Sequence, residues 1–122
     1  MTASILTVDD SPSLRMAIRI ALNGAGYTVT EAGDGVEGLS KANAAKYDLI
    51  ITDLNMPNMD GLTMIREIRK SPMQTGTPII FLTTESDDAV KQQAKAAGAT
   101  GWLVKPFVPD NLIRIAGKVL GR

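Results

Sequence analysis

Asp9, Asp10, Asp53, Thr83 and Lys105 are the residues of this chain whose types and spacing could do chemistry together. Asp9 and Asp10 follow the apolar run Ser4-Ile5-Leu6-Thr7-Val8, and Asp53 follows Asp48-Leu49-Ile50-Ile51-Thr52. Thr83 closes Pro78-Ile79-Ile80-Phe81-Leu82, and Lys105 closes Trp102-Leu103-Val104. Each run reads as a β-strand. If the strands are parallel, their carboxyl ends share one sheet edge, where open α/β sheets bind ligands. Carboxylates, a hydroxyl and an ammonium then converge, a set suited to a divalent cation and a phosphoryl group. Taken alone, Asp9 and Asp10 have an equal claim as decoration of a helix N-terminus, where the macrodipole favours anions. Three carboxylates within ~5 Å, however, repel by roughly 3 kcal/mol per pair at an effective dielectric of 20, which calls for a cation between them.

Two absences narrow the chemistry. The chain has no cysteine and no histidine. A thiolate nucleophile, a disulfide, a zinc–thiolate site and a histidine base or ligand are therefore excluded. Any nucleophile must be a carboxylate, hydroxyl or amine. Any metal should be a hard, oxygen-liking ion such as Mg2+. Thirteen basic residues balance thirteen acidic ones, so no bulk field favours nucleic acid or an anionic membrane. No apolar run approaches the ~18 residues of a membrane span, and no basic-then-apolar leader opens the chain. A cytoplasmic protein, one domain over residues 1–122, is the expectation.

The elements that must position these residues alternate strand with helix. Strands are expected at 4–8, 27–31, 49–52, 79–82 and 101–104. The first helix has Ser11 as N-cap and Pro12 at its first position, with Leu14, Ala17, Ile18, Ala21 and Leu22 on one stripe. Asp34-Gly35 opens a second helix that turns Val36 and Leu39 inward and ends near Tyr47. The third runs from about Leu62 to Lys70, with Leu62, Ile65 and Ile68 inward, and 71–78 reads as a loop. The fourth, from near Ser86 to Ala97, offers small apolar residues: Ala89, Ala94, Ala96 and Ala97 beside Val90. Pro109 starts the fifth, which ends at Gly121 and carries Leu112, Ile113, Ile115, Ala116, Val119 and Leu120, more than one stripe needs. Wide burial against the sheet explains that excess best; a partly exposed face for a partner is compatible with it. Five alternating pairs imply a doubly wound parallel sheet, and five strands favour the order 2-1-3-4-5. Its switch point lies between the first and third strands, which carry the aspartates.

The motifs match a known family throughout. Val8-Asp9-Asp10-Ser11 resembles the acidic pair of bacterial two-component response-regulator receiver domains, and the residues from Asp53 to Gly61, Asp53-Leu54-Asn55-Met56-Pro57-Asn58-Met59-Asp60-Gly61, resemble their phosphoacceptor loop. Phe81-Leu82-Thr83-Thr84 is similar to the switch-hydroxyl segment, and Gly98-Ala99-Thr100-Gly101-Trp102-Leu103-Val104-Lys105-Pro106-Phe107 to the lysine–proline signature. The whole chain is covered, and the likeness is to the single-domain, CheY-like members. That family has the 2-1-3-4-5 order, so order and resemblance are not independent.

The resemblance implies roles. Asp53 would be the phosphoacceptor, taking a phosphoryl group from a histidine kinase. Asp10 would ligate Mg2+ directly, Asp9 through water, alongside Asp53 and the backbone carbonyl of Asn55. The Asn55 side chain and Thr84 would modulate hydrolysis. Lys105, which ends a strand read as buried, would pair with Asp53 at rest and with the phosphoryl oxygens later. Lys105-Pro106 would be a cis peptide, where the residues alone suggest trans. Thr83 would carry the switch hydroxyl, and Trp102 the aromatic switch, where relatives carry smaller rings. Asp60-Gly61 reads as a turn into the third helix.

A phosphorylation switch, not a metabolic enzyme, follows from this resemblance. Implied partners are the kinase, a phosphatase, and an output target on the face of the fourth helix, fifth strand and fifth helix. In chemotaxis that target is the flagellar motor switch. A phosphorelay intermediate or a receiver excised from a larger regulator fits equally well, and a monomer is expected. An aspartate-nucleophile phosphatase of the haloacid-dehalogenase type needs a second acid where Asn55 stands. A flavodoxin needs a phosphate-cradling first loop, which Asp9-Asp10 would repel.

Overall fold

The computed structural model describes residues 2–84 and 88–121. Five parallel strands, β1 (Ser4–Val8), β2 (Thr28–Ala32), β3 (Leu49–Asp53), β4 (Ile79–Thr83) and β5 (Gly101–Val104), form one sheet in the order β2-β1-β3-β4-β5. The helices between and after them are α1 (Pro12–Gly24), α2 (Gly35–Ala44), α3 (Gly61–Arg69), α4 (Asp88–Ala97) and α5 (Pro109–Val119). The expected fold, an α/β doubly wound sheet of this order, is present.

The sheet is covered on both faces, which is why its central strands are apolar throughout. Every residue of β3 and β4 is buried. Their side chains alternate between two cores. Ile50, Ile79 and Phe81 pack with Met64, Ile65 and Ile68 of α3, Ala42 of α2, and Ala94 and Ala97 of α4. Leu49, Ile51, Ile80 and Leu82 pack with Ile18 and Leu22 of α1 and Leu112 and Ala116 of α5. Each such aliphatic side chain contributes ~1.5–3 kcal/mol relative to exposure.

Several local expectations need correcting. Val36 is exposed, not inward. The inward stripe of α2 is Gly35, Gly38 and Ala42, and a Cβ on Gly38 would lie 2.7 Å from the Met64 sulfur and 2.9 Å from Val8 Cγ2. Small residues there let α2 approach closely, and apolarity alone does not reveal that. The helix also stops at Ala44, short of Tyr47, because fully buried Gln74 donates its side-chain amide to the Ala42 and Ala45 carbonyls. Gln74 belongs to a 3-10 turn, Pro72–Gln74, inside the segment read as plain loop. Ala17, Ala89 and Ala96 are exposed. α3 and α5 end one and two residues earlier than expected, at Arg69 and Val119. Ser86, the expected start of the fourth helix, lies outside the described residues. In α5, Leu112 and Ala116 are buried while Ile113, Ile115 and Val119, with Leu120 just beyond the helix, are only partly covered, so both readings of that helix hold in part.

Gly61 sets the join of β3 to α3. Asp60 caps the helix through the Thr63 N–H at 2.7 Å, and the Gly61 N–H donates to the Leu54 carbonyl at 2.9 Å. A Cβ at position 61 would sit 2.2 Å from the Asp53 carbonyl oxygen, a backbone atom that cannot step aside. Gly61→Ala is therefore expected to destabilise the protein by about 2 kcal/mol or more, within the range for overpacking. Urea unfolding checks this, and an unchanged midpoint would refute the close approach.

Candidate functional site

The parallel order brings the C-terminal ends of β1, β3, β4 and β5 to one edge. Asp9 and Asp10 follow β1, Asp53 ends β3, Thr83 ends β4 and Lys105 follows β5. Asp9, Asp10 and Asp53 each present a carboxylate oxygen, all within 4.8 Å of one another. Asp9 and Asp53 are buried, and Asp10 is exposed.

Backbone amides orient the two buried carboxylates. Asp53 Oδ1 accepts from the Leu54 N–H at 2.8 Å and the Asn55 N–H at 3.5 Å. Asp9 Oδ1 accepts from the Ser11 N–H at 2.9 Å. In both residues Oδ2 turns to Lys105, whose Nζ lies 3.3 Å from Asp53 and 3.4 Å from Asp9. The pairing with Asp53 matches expectation; the sharing with Asp9 does not follow from spacing. Burial raises the Asp9 carboxyl above its ordinary value, the Asp53 charge adds to this, and the Ser11 N–H and Lys105 oppose it. Three carboxylates against one ammonium leave a formal deficit of two positive charges. All-oxygen donors, two of them pre-oriented, suit a hard divalent cation that keeps several waters, and exposed Asp10 opens the cluster to solvent.

Lys105 does not end a buried strand as expected. β5 is an edge strand whose exposed positions include Trp102 and Val104, since among the described residues nothing pairs beyond it. The Lys105 N–H donates to the Thr83 carbonyl at 2.8 Å, continuing the β4–β5 ladder. Lys105-Pro106 is cis, as the resemblance implied. Thr83 is fully buried, whereas Thr84 and Asn55 are exposed beside it. A cavity of about 260 Å3 between α3 and α4 reaches Thr83 and Asn55. An apolar hollow of about 390 Å3, lined by Leu14, Thr84, Pro106 and Phe107, opens at Lys105. A further concavity, about 470 Å3 between Leu39 of α2 and Met73, includes none of these residues.

Two neighbours of the site escaped the sequence reading. Arg15 Nη1 donates to the Asp9 carbonyl at 2.6 Å while Nε faces Glu31 at 3.4 Å, tying the acidic turn to β2. Its place on the first turns of α1, behind the acidic pair, was the available signal. Lys91 of α4 holds its ammonium 4.6 Å from the Trp102 ring centroid, a contact between elements that no spacing announces.

The sequence pattern described as a response regulator receiver domain matches residues 5–116. Chemotaxis protein CheY4 of Vibrio cholerae is similar in structure, with a TM-score of 0.94 and 46% identity, covering 98% of this chain and 99% of that one. Chemotaxis protein CheY1 of Helicobacter pylori is 40% identical over 119 residues, 96% of each chain. The receiver domain of sensor histidine kinase PA1611 from Pseudomonas aeruginosa PAO1 was solved with a magnesium ion coordinated in its active site cleft. It matches at a TM-score of 0.91 and 33% identity over 100% of both chains. In two other curated relatives, at 39% and 40% identity, the chain spans only 44% and 9% of the relative's length.

Proposed function

The chain belongs to the response regulator receiver domain family of two-component signalling, and from that premise we propose that residues 1–122 act as one receiver switched by phosphorylation of Asp53. The observation that carries the reading is Lys105, whose ammonium lies within 3.4 Å of carboxylates from two different strand ends. Receivers accept phosphoryl groups from histidine kinases. Here the Asp53 carboxylate attacks the phosphorus of a phosphohistidine, the P–N bond breaks, an O–P bond forms, and the imidazole leaves with the kinase.

Asp9, Asp10, Asp53 and the Asn55 carbonyl would hold Mg2+, which supplies positive charge for the phosphoryl oxygens. The other residues do the rest. The Leu54 and Asn55 N–H groups fix Asp53 Oδ1, so that one oxygen is oriented while the other meets the donor. Lys105 neutralises the waiting carboxylate and then pairs with the phosphoryl group. Thr83 donates its hydroxyl to that group, and Trp102 moves with it. Asn55 and Thr84, exposed at the rim, modulate attack by water. The domain thus promotes its own phosphorylation and hydrolysis; its family is a signalling one, not a metabolic enzyme class. The apolar hollow at Leu14, Pro106 and Phe107 gives a donor purchase beside Lys105.

The output is a change in partner binding on the face of α4, β5 and α5. Near end-to-end similarity to two chemotaxis proteins favours the flagellar motor switch as target, with a phosphatase to reset the signal. Relatives in which the matched stretch makes up only 44% and 9% of the length favour a second reading, a receiver serving a phosphorelay or a larger regulator. No described helix is long and apolar enough to cross a membrane.

Magnesium binding tests the site directly. Wild type is expected to bind Mg2+ in the sub-millimolar to millimolar range, and Asp10→Ala to lose at least about tenfold, since few carboxylates hold this ion. Calorimetry showing equal affinity in the two proteins would remove Asp10 from the site. Capture of motor-switch protein only with beryllofluoride present would select the chemotaxis reading.

A further inference from the structure

Trp102 and Phe81 are cross-strand partners on β5 and β4. Their rings lie 6.3 Å apart and tilted at 34°. Phe81 is fully buried and Thr83 follows two residues later, on the same face of β4. The indole therefore rests on Phe81, with Thr83 ahead of it along that face. It is not covered: 44% of Trp102 is exposed. What lies over it is the Lys91 ammonium of α4, 4.6 Å from the ring centroid. An indole face is the best aromatic partner for a cation.

We propose that Lys91 is a positioning residue that holds the Trp102 indole in its outward orientation and so sets the resting balance of the switch. The inference rests on the reading of Trp102 as the aromatic that moves with Thr83. An indole turned toward Thr83 gives up the ammonium on its face, so the contact favours the outward state alone. A ligand or side chain shifts a two-state equilibrium only by its differential interaction with the two states. An exposed cation–π contact of ~0.5–1 kcal/mol corresponds to a shift of roughly two- to fivefold. The pairing also suits a tryptophan at this position, because indole is the aromatic that binds a cation best.

The test uses full-length protein, quencher accessibility of Trp102, and titration with beryllofluoride at fixed Mg2+. Lys91→Gln and Lys91→Met both remove the charge, and the methionine keeps the apolar stem. Both are expected to change acrylamide accessibility in the resting protein and to lower the beryllofluoride midpoint roughly two- to fivefold, whereas Lys91→Arg should behave as wild type. Thermal melts should stay within a few degrees, which separates positioning from general packing. If wild-type Trp102 responds to beryllofluoride but neither uncharged variant shifts accessibility or midpoint, the Lys91 inference is overturned and the switch reading survives. If wild-type Trp102 fails to respond while Asp53 is modified, the switch reading itself falls, and this inference with it.

Discussion

Asp53→Asn is expected to take up no phosphoryl label from a labelled phosphohistidine kinase, while wild type acquires an alkali-labile one in the presence of Mg2+. The substitution is conservative for the fold. An asparagine Oδ1 can still accept the Leu54 and Asn55 N–H groups, so the β3 end keeps its geometry. Only the second oxygen and its charge are lost, and with them the attacking atom and the partner of Lys105 at 3.3 Å. Two other carboxylates stand within 4.8 Å and must be weighed as acceptors. Asp9 is only 1% exposed, which leaves a phosphodonor little access to its oxygens. Asp10 is exposed, and among the described residues no backbone amide or lysine orients it as Asp53 is oriented. A nucleophile removed outright leaves no slow route by the same path, so the loss should reach the detection limit. Label on Asp53→Asn equal to wild type would place the acceptor elsewhere.

The chain shows its catalytic edge more openly than its packing. Asp9, Asp53, Thr83 and Lys105 could be placed because each ends an apolar run, and a parallel sheet brings such ends together whatever the details of the helices. The strand cores were legible for a related reason: β3 and β4 are buried on both faces and read as unbroken aliphatic runs. Position 36 was misread because α2 packs through Gly35, Gly38 and Ala42, two glycines and an alanine whose hydrophobic signal is weaker than that of valine. Gln74 was missed because a polar residue in a loop ordinarily faces water, and only the three-dimensional path shows it capping α2. Lys91 and Trp102 meet across two elements, and the sharing of Lys105 between Asp9 and Asp53 depends on side-chain reach. Periodicity reports which face is apolar, not which partners lie opposite.

Asp9→Asn is expected to stabilise the protein in EDTA and to lose most of the stabilisation that Mg2+ gives wild type. Two opposing effects decide the sign. Asp9 gains from the Ser11 N–H at 2.9 Å and Lys105 at 3.4 Å, but burial and the Asp53 charge outweigh them, so its carboxyl titrates above the ordinary value. A group whose value is raised by folding contributes stability below its unfolded value and loses it as pH rises through the folded one. At neutral pH, without metal, ionised Asp9 is therefore a net cost. Asparagine removes that cost, keeps an acceptor for Ser11, and leaves Lys105 to Asp53. The gain should read as a higher melting temperature of the variant in EDTA, because the raised carboxyl of Asp9 no longer has to be ionised in the folded state. It should shrink as pH falls toward the ordinary carboxylate range, where wild-type Asp9 is protonated as well. With Mg2+ the order reverses. A ligand at a hundred times its dissociation constant stabilises by ~2.7 kcal/mol, and the variant, one carboxylate short, takes only part of that. Melting curves of both proteins with EDTA and with excess Mg2+ should therefore cross. A variant less stable than wild type in EDTA would mean that Lys105 already compensates all three carboxylates, and the cluster would need no cation to be tolerated.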